Sequence, residues 1–331
     1  MEKSKLSLMN TANFQQIGLL IFIVGLSIVV QIRNPRFLTY ENVSDLLTNT
    51  AILAILTVGM MLVIVTRGID LSVASILALS GMMSALMVSR YQNISPLVAI
   101  LVGIFIGAIC GTINGLLISK TNLPSIIATL GTMNVYRGIT YMISKGEWVD
   151  AAEMPLSFKR IATGSILGIN NLIFIAIVTY IIFYYFIQYT RTGRQIYAIG
   201  SNPKAAQING INMSRLILIV YTLMGILSGL AGVLWVSKFA SAQSDTATGY
   251  ELNVIAAAVL GGVSITGGVG RISGVVMGTL LLGILNNALP LVNVSPFWQQ
   301  AIQGLIILIA VIVNVLVKIN MEKAQLRRRG I

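Results

Sequence analysis

The chain has 331 residues, of which 56% are hydrophobic and only 10% charged; its mean hydropathy is +0.87. That combination excludes an ordinary soluble domain and points to an integral membrane protein. A formal net charge of +12, no histidine and a single cysteine, Cys110, exclude a disulfide framework and remove the usual proton relay and the commonest metal ligand.

The N-terminal stretch MEKSKLSLMNTANFQQ precedes an apolar run, as in a signal peptide. The run is long and passes into QIRNPRF without a small-residue cleavage site, so a retained first helix is expected. Apolar runs then recur along the chain. They predict ten spans, at 17–33, 46–66, 71–89, 95–118, 125–144, 165–189, 214–237, 252–265, 271–290 and 298–318. The eighth is short, and its AAAVLGGVSI composition fits a half-helix or a span enclosed by other helices. The expected fold is an all-α membrane protein, one transmembrane domain over residues 1–331.

Charge orients this array. With the N- and C-termini cytoplasmic, the inside segments carry fourteen basic and three acidic groups, and the outside segments eight basic and seven acidic ones. This is the positive-inside pattern, so the high net charge is mainly a topology signal and no nucleic-acid partner is needed to account for it. Spans two to five and seven to ten start from opposite faces, which permits an inverted repeat, although the two halves share no convincing sequence identity.

Two loops exceed what a turn requires. Outside, residues 145–164 mix charge with Trp148 and Phe158 and fit a small cap or docking surface. Inside, residues 190–213 form a basic, glycine-punctuated segment free of acidic residues. There Asn202 is placed to cap a helix with Pro203 in its first position, Lys204, Ala205 and Ala206 continue it, and Gly210 ends it. The small residues Ala205 and Ala206 are read as the face that a partner groove would approach.

Catalytic constellations are missing. No span interior holds Asp, Glu or Lys, and LGGVSITGGVGRISG has neither the Gly-Lys nor the preceding strand of a phosphate loop, so small-residue helix packing accounts for it better. The polar groups inside the spans are neutral except for Arg137. Asn114, Thr132, Asn134, Arg137, Asn253, Asn286 and Asn287 are the candidates for a translocation path. Amides and hydroxyls suit a neutral polyhydroxylated solute, but each could equally bond a neighbouring helix. Asn134, Arg137 and Tyr141 share one helical face, and Arg137 has a structural and a pathway reading of equal weight.

The segment RTGRQIYAIGSNPKAAQINGI resembles the coupling segment of the monosaccharide-import permeases of the ATP-binding-cassette superfamily. VGMMLVIVTRGIDLSVASILALSG, IIATLGTMNVYRGI and TGYELNVIAAAVLGGVSITGGVGRISG are similar to further blocks of that family. The resemblance implies that Asn202, Pro203, Lys204, Ala205, Ala206 and Gly210 dock into an ATPase. It also implies that Thr66 to Ser72, with Arg67, Gly68, Asp70 and Ser72, form a tight cytoplasmic turn; physically, Asp70 could cap the helix that follows.

The implied assembly comprises a second permease subunit, identical or related, separate ATPase subunits and an extracytoplasmic sugar-binding protein. It sits in the lipid of the cytoplasmic membrane and carries a neutral sugar or sugar-like signal of the ribose, autoinducer-2 or rhamnose type. No cofactor and no enzymatic activity are implied. The competing readings are a self-contained channel or secondary facilitator, and a membrane enzyme that would need Glu147, Asp150 and Glu153 on one helical face.

Overall fold

The computed structural model describes residues 2–121 and 123–295 and individual residues between 297 and 312, with side chains from residue 16 onward. Its helices are α1 (Glu2–Arg33), α2 (Tyr40–Val65), α3 (Val73–Arg90), α4 (Pro96–Thr121), α5 (Ser125–Ser144) and α6 (Leu156–Thr163). A two-stranded hairpin, β1 (Ser165–Ile166) and β2 (Ile169–Asn170), leads into α7 (Asn171–Tyr189), α8 (Arg191–Ser201), α9 (Pro203–Ile208), α10 (Met213–Phe239), α11 (Tyr250–Leu260) and α12 (Ile272–Leu291).

Helices lie over each of the first nine predicted spans, and the tenth falls for the most part outside the described residues. Seven of them, α1 from Gln16, α2, α3, α4, α7, α10 and α12, are long and apolar enough to cross a membrane. At eleven residues, α11 spans only about 16 Å of a hydrocarbon core of about 30 Å. It therefore has the length of a half-helix, as its composition indicated.

The sixth span is corrected at its start. Residues 165–170 are not helical but form the β1–β2 hairpin, turned by Leu167 and Gly168, both at positive φ. Ile166 and Leu167 imitate the opening of an apolar run, yet Leu167 is 94% exposed at the hairpin tip. Asn170 caps the true helix start by accepting from the Leu172 N–H at 2.8 Å.

Around α10 pack α4, α3, α2 and α6. From Ile55 to Val65 every residue of α2 is buried, as expected of a helix that is apolar on all sides and enclosed by others. The α4–α10 seam is closest. Gly107 faces Gly225 so tightly that a Cβ on either would stand 2.1 Å from the other's carbonyl oxygen. Gly103, Gly111 and Gly229 continue the same backbone contact, the small-residue packing that lets helices associate where lipid supplies no hydrophobic drive. By contrast Ile17, Ile21, Ile28 and Ile32 of α1, and Ile181 and Ile182 of α7, are exposed along apolar faces that lipid would cover.

Between α5 and α7 the loop from residue 145 carries α6 as a cap. Phe158, Ile161 and Ala162 are its buried face. Ser237 of α10 accepts from the Ala162 N–H at 2.9 Å and donates to the Phe158 carbonyl at 2.8 Å. Glu147, Asp150 and Glu153 are exposed in the irregular stretch before α6 and share no helical face.

The seam predicts that Gly107→Leu, which must insert four carbons where a backbone carbonyl sits, destabilises the protein by at least the ~1–3 kcal/mol of an overpacked core. Thermal unfolding in detergent should show a clearly lowered midpoint, while the same change at Gly131, which has nothing within 4 Å of its Cβ position, should leave it unmoved. Equal midpoints would contradict the seam.

Candidate functional site

The polar junction built at the α8–α9 end of the bundle begins at the end of α2. Thr66 is the cap residue, and Arg67 adopts φ 68°, in the left-handed region. The Arg67 N–H bonds Ile64 O at 2.9 Å and the Gly68 N–H bonds Val63 O at 3.0 Å, the pair of bonds that closes a Schellman motif. Glycine normally occupies this left-handed position, because a Cβ there costs on the order of 1–2 kcal/mol. The arginine side chain supplies a reason for its presence: Nε donates to Gly200 O at 2.7 Å and Nη2 to Ser201 O at 3.0 Å. These are the last carbonyls of α8, where the helix dipole favours a cation.

Helix α8 is a distinct element within the 190–213 segment, which is expected to be a loop. Thr190 caps it through Gly193 N at 3.0 Å. Ile196, Ile199 and Gly200, spaced three and four apart, are its buried stripe. Gly200 is essential to the fit, since a Cβ there would lie 1.9 Å from Val65 O. Val65 O also accepts from Gly268 N at 2.9 Å, and Tyr197 Oη donates to Gly270 O at 2.7 Å. Burial pushes the Tyr197 phenol up to about 12, so it stays a neutral donor at physiological pH. The end of α2, the end of α8 and the 261–271 loop thus meet in one rigid block.

From that block α9 projects. Asn202 Oδ1 accepts from Ala205 N at 3.0 Å with Pro203 in the first turn. Gly210, at φ 74°, closes the other end, where Ile211 N bonds Ala206 O at 3.1 Å. The expected small docking face needs correcting: Ala206 is buried against the body and Ala205 is half-buried, so they seat the element. Lys204, Gln207 and Ile208 face outward, and Ile208 is 86% exposed.

Beside the junction lies Asp70, fully buried. Its Oδ1 accepts from the Ser72 N–H at 2.9 Å and Ser72 Oγ at 2.6 Å, while Oδ2 has no hydrogen-bond partner among the described residues. Burial raises its carboxyl above the ordinary carboxylate range, against those lowering bonds. Asp70 therefore orders the turn before α3 and does not bond the first-turn amides directly. Asn114 donates to Ser72 Oγ at 2.7 Å and accepts from Tyr136 Oη at 3.1 Å, so α3, α4 and α5 are tied through one chain of bonds. Gly68 sits against the same cluster: a Cβ there would stand 2.4 Å from Tyr221 Oη.

The proposed path residues do not converge. Asn114 is sealed in that cluster, and Thr132 is buried with its hydroxyl on Thr129 O of its own helix. Asn287 exchanges two amide bonds with Asn42, each 3.0 Å, locking α12 to α2. In this conformation Asn114 and Asn287 hold helices together, and Thr132 bonds only within α5. Asn134 and Asn286 are exposed, the former bonded to Leu130 O at 2.9 Å. Arg137 reaches the opposite end of the bundle, where Nη1 donates to Ser244 O at 2.8 Å and Thr246 O at 2.9 Å. Asn253 lines a cavity beside that same segment.

Residues 42–311 match the family model described as branched-chain amino acid transport system / permease component. The ribose import permease protein RbsC of Escherichia coli (strain K12) is 40% identical over 297 residues, 89% of this chain and 92% of that protein. RbsC of Bacillus subtilis (strain 168) is 42% identical over 300 residues, 91% of this chain and 92% of its own. The L-arabinose ABC transporter permease protein AraH of Azospirillum brasilense is 36% identical over 295 residues, 89% of this chain and 86% of its own. No solved structure matches the chain.

Two predictions follow from the junction. Arg67→Gly relieves the left-handed strain but deletes both bonds to α8. Global unfolding in detergent should hardly move, while amide exchange in α8 and α9 accelerates by roughly tenfold or more, the equivalent of one or two lost hydrogen bonds; unchanged exchange would refute the clamp. Asp70→Asn keeps the Oδ1 acceptor and removes the titration. Since the folded carboxyl binds its proton more tightly than the unfolded one, its stabilisation is complete below about pH 4 and is lost as pH rises through the raised folded value. The variant should lose that decline, which stability measured across the window tests directly.

Proposed function

The chain belongs to the permease-component family of branched-chain amino acid transport systems, and from that premise we propose that it is the membrane subunit of an ATP-binding-cassette importer for a neutral monosaccharide or sugar-like signal. The family is one of membrane permeases, not enzymes, and the seven long apolar helices make this a multi-pass membrane protein. The named substrates of its relatives, ribose and L-arabinose, are both neutral pentoses. They weight this chain toward that class over the autoinducer-2 and rhamnose types.

The observation that carries the reading is the exposed α9 held on a rigid base. Its outward face of Lys204, Gln207 and Ile208 is exposed, and an 86% exposed isoleucine at its tip is a residue awaiting a groove. In the proposed assembly ten crossings place both termini and the α8–α9 end in the cytoplasm, where two ATPase subunits dock. A second permease subunit completes the pathway, and a sugar-binding protein docks on the opposite end, where α6 forms the cap. ATP-driven closure pulls α9. Because α9 is continuous with the α2–α8 block, the helices tilt as bodies and no chemistry is required of the permease.

Ile208→Glu tests this. In proteoliposomes holding the chain with its cognate ATPase and binding protein, ATP-dependent sugar uptake and ATPase co-purification should both fall by about thirtyfold, the loss expected of an interface hot spot. Membrane insertion and thermal stability should be unchanged, because the side chain is 86% exposed. Uptake that continues without any ATPase would instead establish a self-contained facilitator.

A further inference from the structure

At the end of the bundle opposite α9, a cavity of about 760 Å³ opens between the last turns of α10, the 241–249 segment and the start of α11. Its volume lies within the range of small-molecule sites. One wall is aromatic: the Trp235 ring meets Tyr250 at 5.1 Å edge-on and Phe239 at 5.0 Å. The other wall is polar, with Gln243, Asp245 and Asn253 among its residues.

These groups are unspent. Among the described residues the Asn253 amide, the Trp235 Nε1–H, the Tyr250 hydroxyl and the Asp245 carboxylate make no side-chain hydrogen bond, whereas Thr112, Asn114, Ser144 and Asn287 elsewhere in the bundle do. A flat apolar ring beside free amide, hydroxyl and carboxylate groups matches one ligand chemistry well. A sugar ring presents C–H bonds on its faces and hydroxyls, each a donor and an acceptor, around its rim.

The rim is also rigid. Arg137 holds two carbonyls of the 241–249 segment, Ser144 and Ser244 share a 2.8 Å bond, and Val149 and Ala242 exchange backbone bonds at 3.1 and 3.0 Å. The cavity wall is thereby joined to the loop that carries α6. A site whose walls are fixed from behind is pre-organised for a ligand.

We propose that this cavity is a receiving subsite for a neutral monosaccharide, whose ring stacks on Trp235 and Tyr250 while Asn253 and Asp245 bond its hydroxyls. The proposal rests on the importer reading and adds to it the place where the permease itself selects the solute. Affinity for free sugar belongs to the binding protein, so the subsite acts on transfer: it decides how much sugar enters per ATP hydrolysed.

The test is uptake of radiolabelled D-ribose and L-arabinose in the reconstituted complex, measured together with ATP hydrolysis stimulated by the loaded binding protein. For Asn253→Ala and Trp235→Ala, sugar imported per ATP should fall about tenfold, the effect of one lost ligand hydrogen bond or more. Stimulated hydrolysis should persist, and Trp235→Phe should restore most of the uptake. Among the described residues Asn253 makes no side-chain hydrogen bond, so its variant carries the test even where the tryptophan change impairs folding. An unchanged ratio in Asn253→Ala overturns the subsite, and so does loss of stimulation, which would make the cavity a contact for the binding protein. A native complex that imports no sugar with ATP would instead overturn the importer reading beneath it.

Discussion

The backbone contact between α4 and α10 sets the geometry on which the other helices depend. In a bilayer, lipid tails are as apolar as leucine, so two helices gain little by hiding their side chains from solvent. They gain by touching. Gly107 and Gly225 bring two main chains to a separation that admits no Cβ on either side. Because α10 also carries α3 on one flank and α2 and α6 on others, the seam fixes where those helices can lie. A bundle held by close backbone contact moves as blocks, since a tight seam has no partly opened state that still packs.

Against that stiff background Arg67 stands out as a residue placed at a local cost. A glycine would satisfy the end of α2 with less strain. What an arginine adds is a forked donor long enough to reach two carbonyls of α8 across the turn. Local strain that persists in a well-packed setting is maintained by something beyond local stability. Here that is the joining of the end of α2 to the end of α8. Asp70, buried in the same turn with one oxygen unpartnered among the described residues, is a second costly residue within three positions.

How much of this was legible in the sequence follows from the range of each interaction. Helix periodicity, the Asn202-Pro203 start and the Gly210 stop are encoded in adjacent residues, and the structure has them where they were expected. The half-helix length of α11 was likewise visible in its composition. The Ile196-Ile199-Gly200 stripe of α8 was also local, but glycine and arginine around it obscured a short amphipathic helix. The orientation of Ala206 was not readable, since a small residue suits a buried seat as well as a docking face. Nor were the partners of Arg67 and Arg137, each more than 100 positions away. A charge in an apolar chain says that it must be satisfied; only the fold says by what.

The same range argument bears on how the two ends communicate. With 27 residues, α10 is about 40 Å long, enough to run from one end of the bundle to the other. It begins three residues after Gly210 closes α9, with Asn212 as its cap, and its final turns carry Trp235 and Phe239 into the wall of the cavity. One element therefore has a terminus beside the exposed α9 and the other at the aromatic wall. Its middle is held against α4 by glycine contacts, which favour its moving together with that helix. In the proposed importer a push on α9 would be carried as a tilt of the α4–α10 pair toward the braced 241–249 rim. Coupling over this distance needs no relay of side chains, only a rod that moves together with its neighbour.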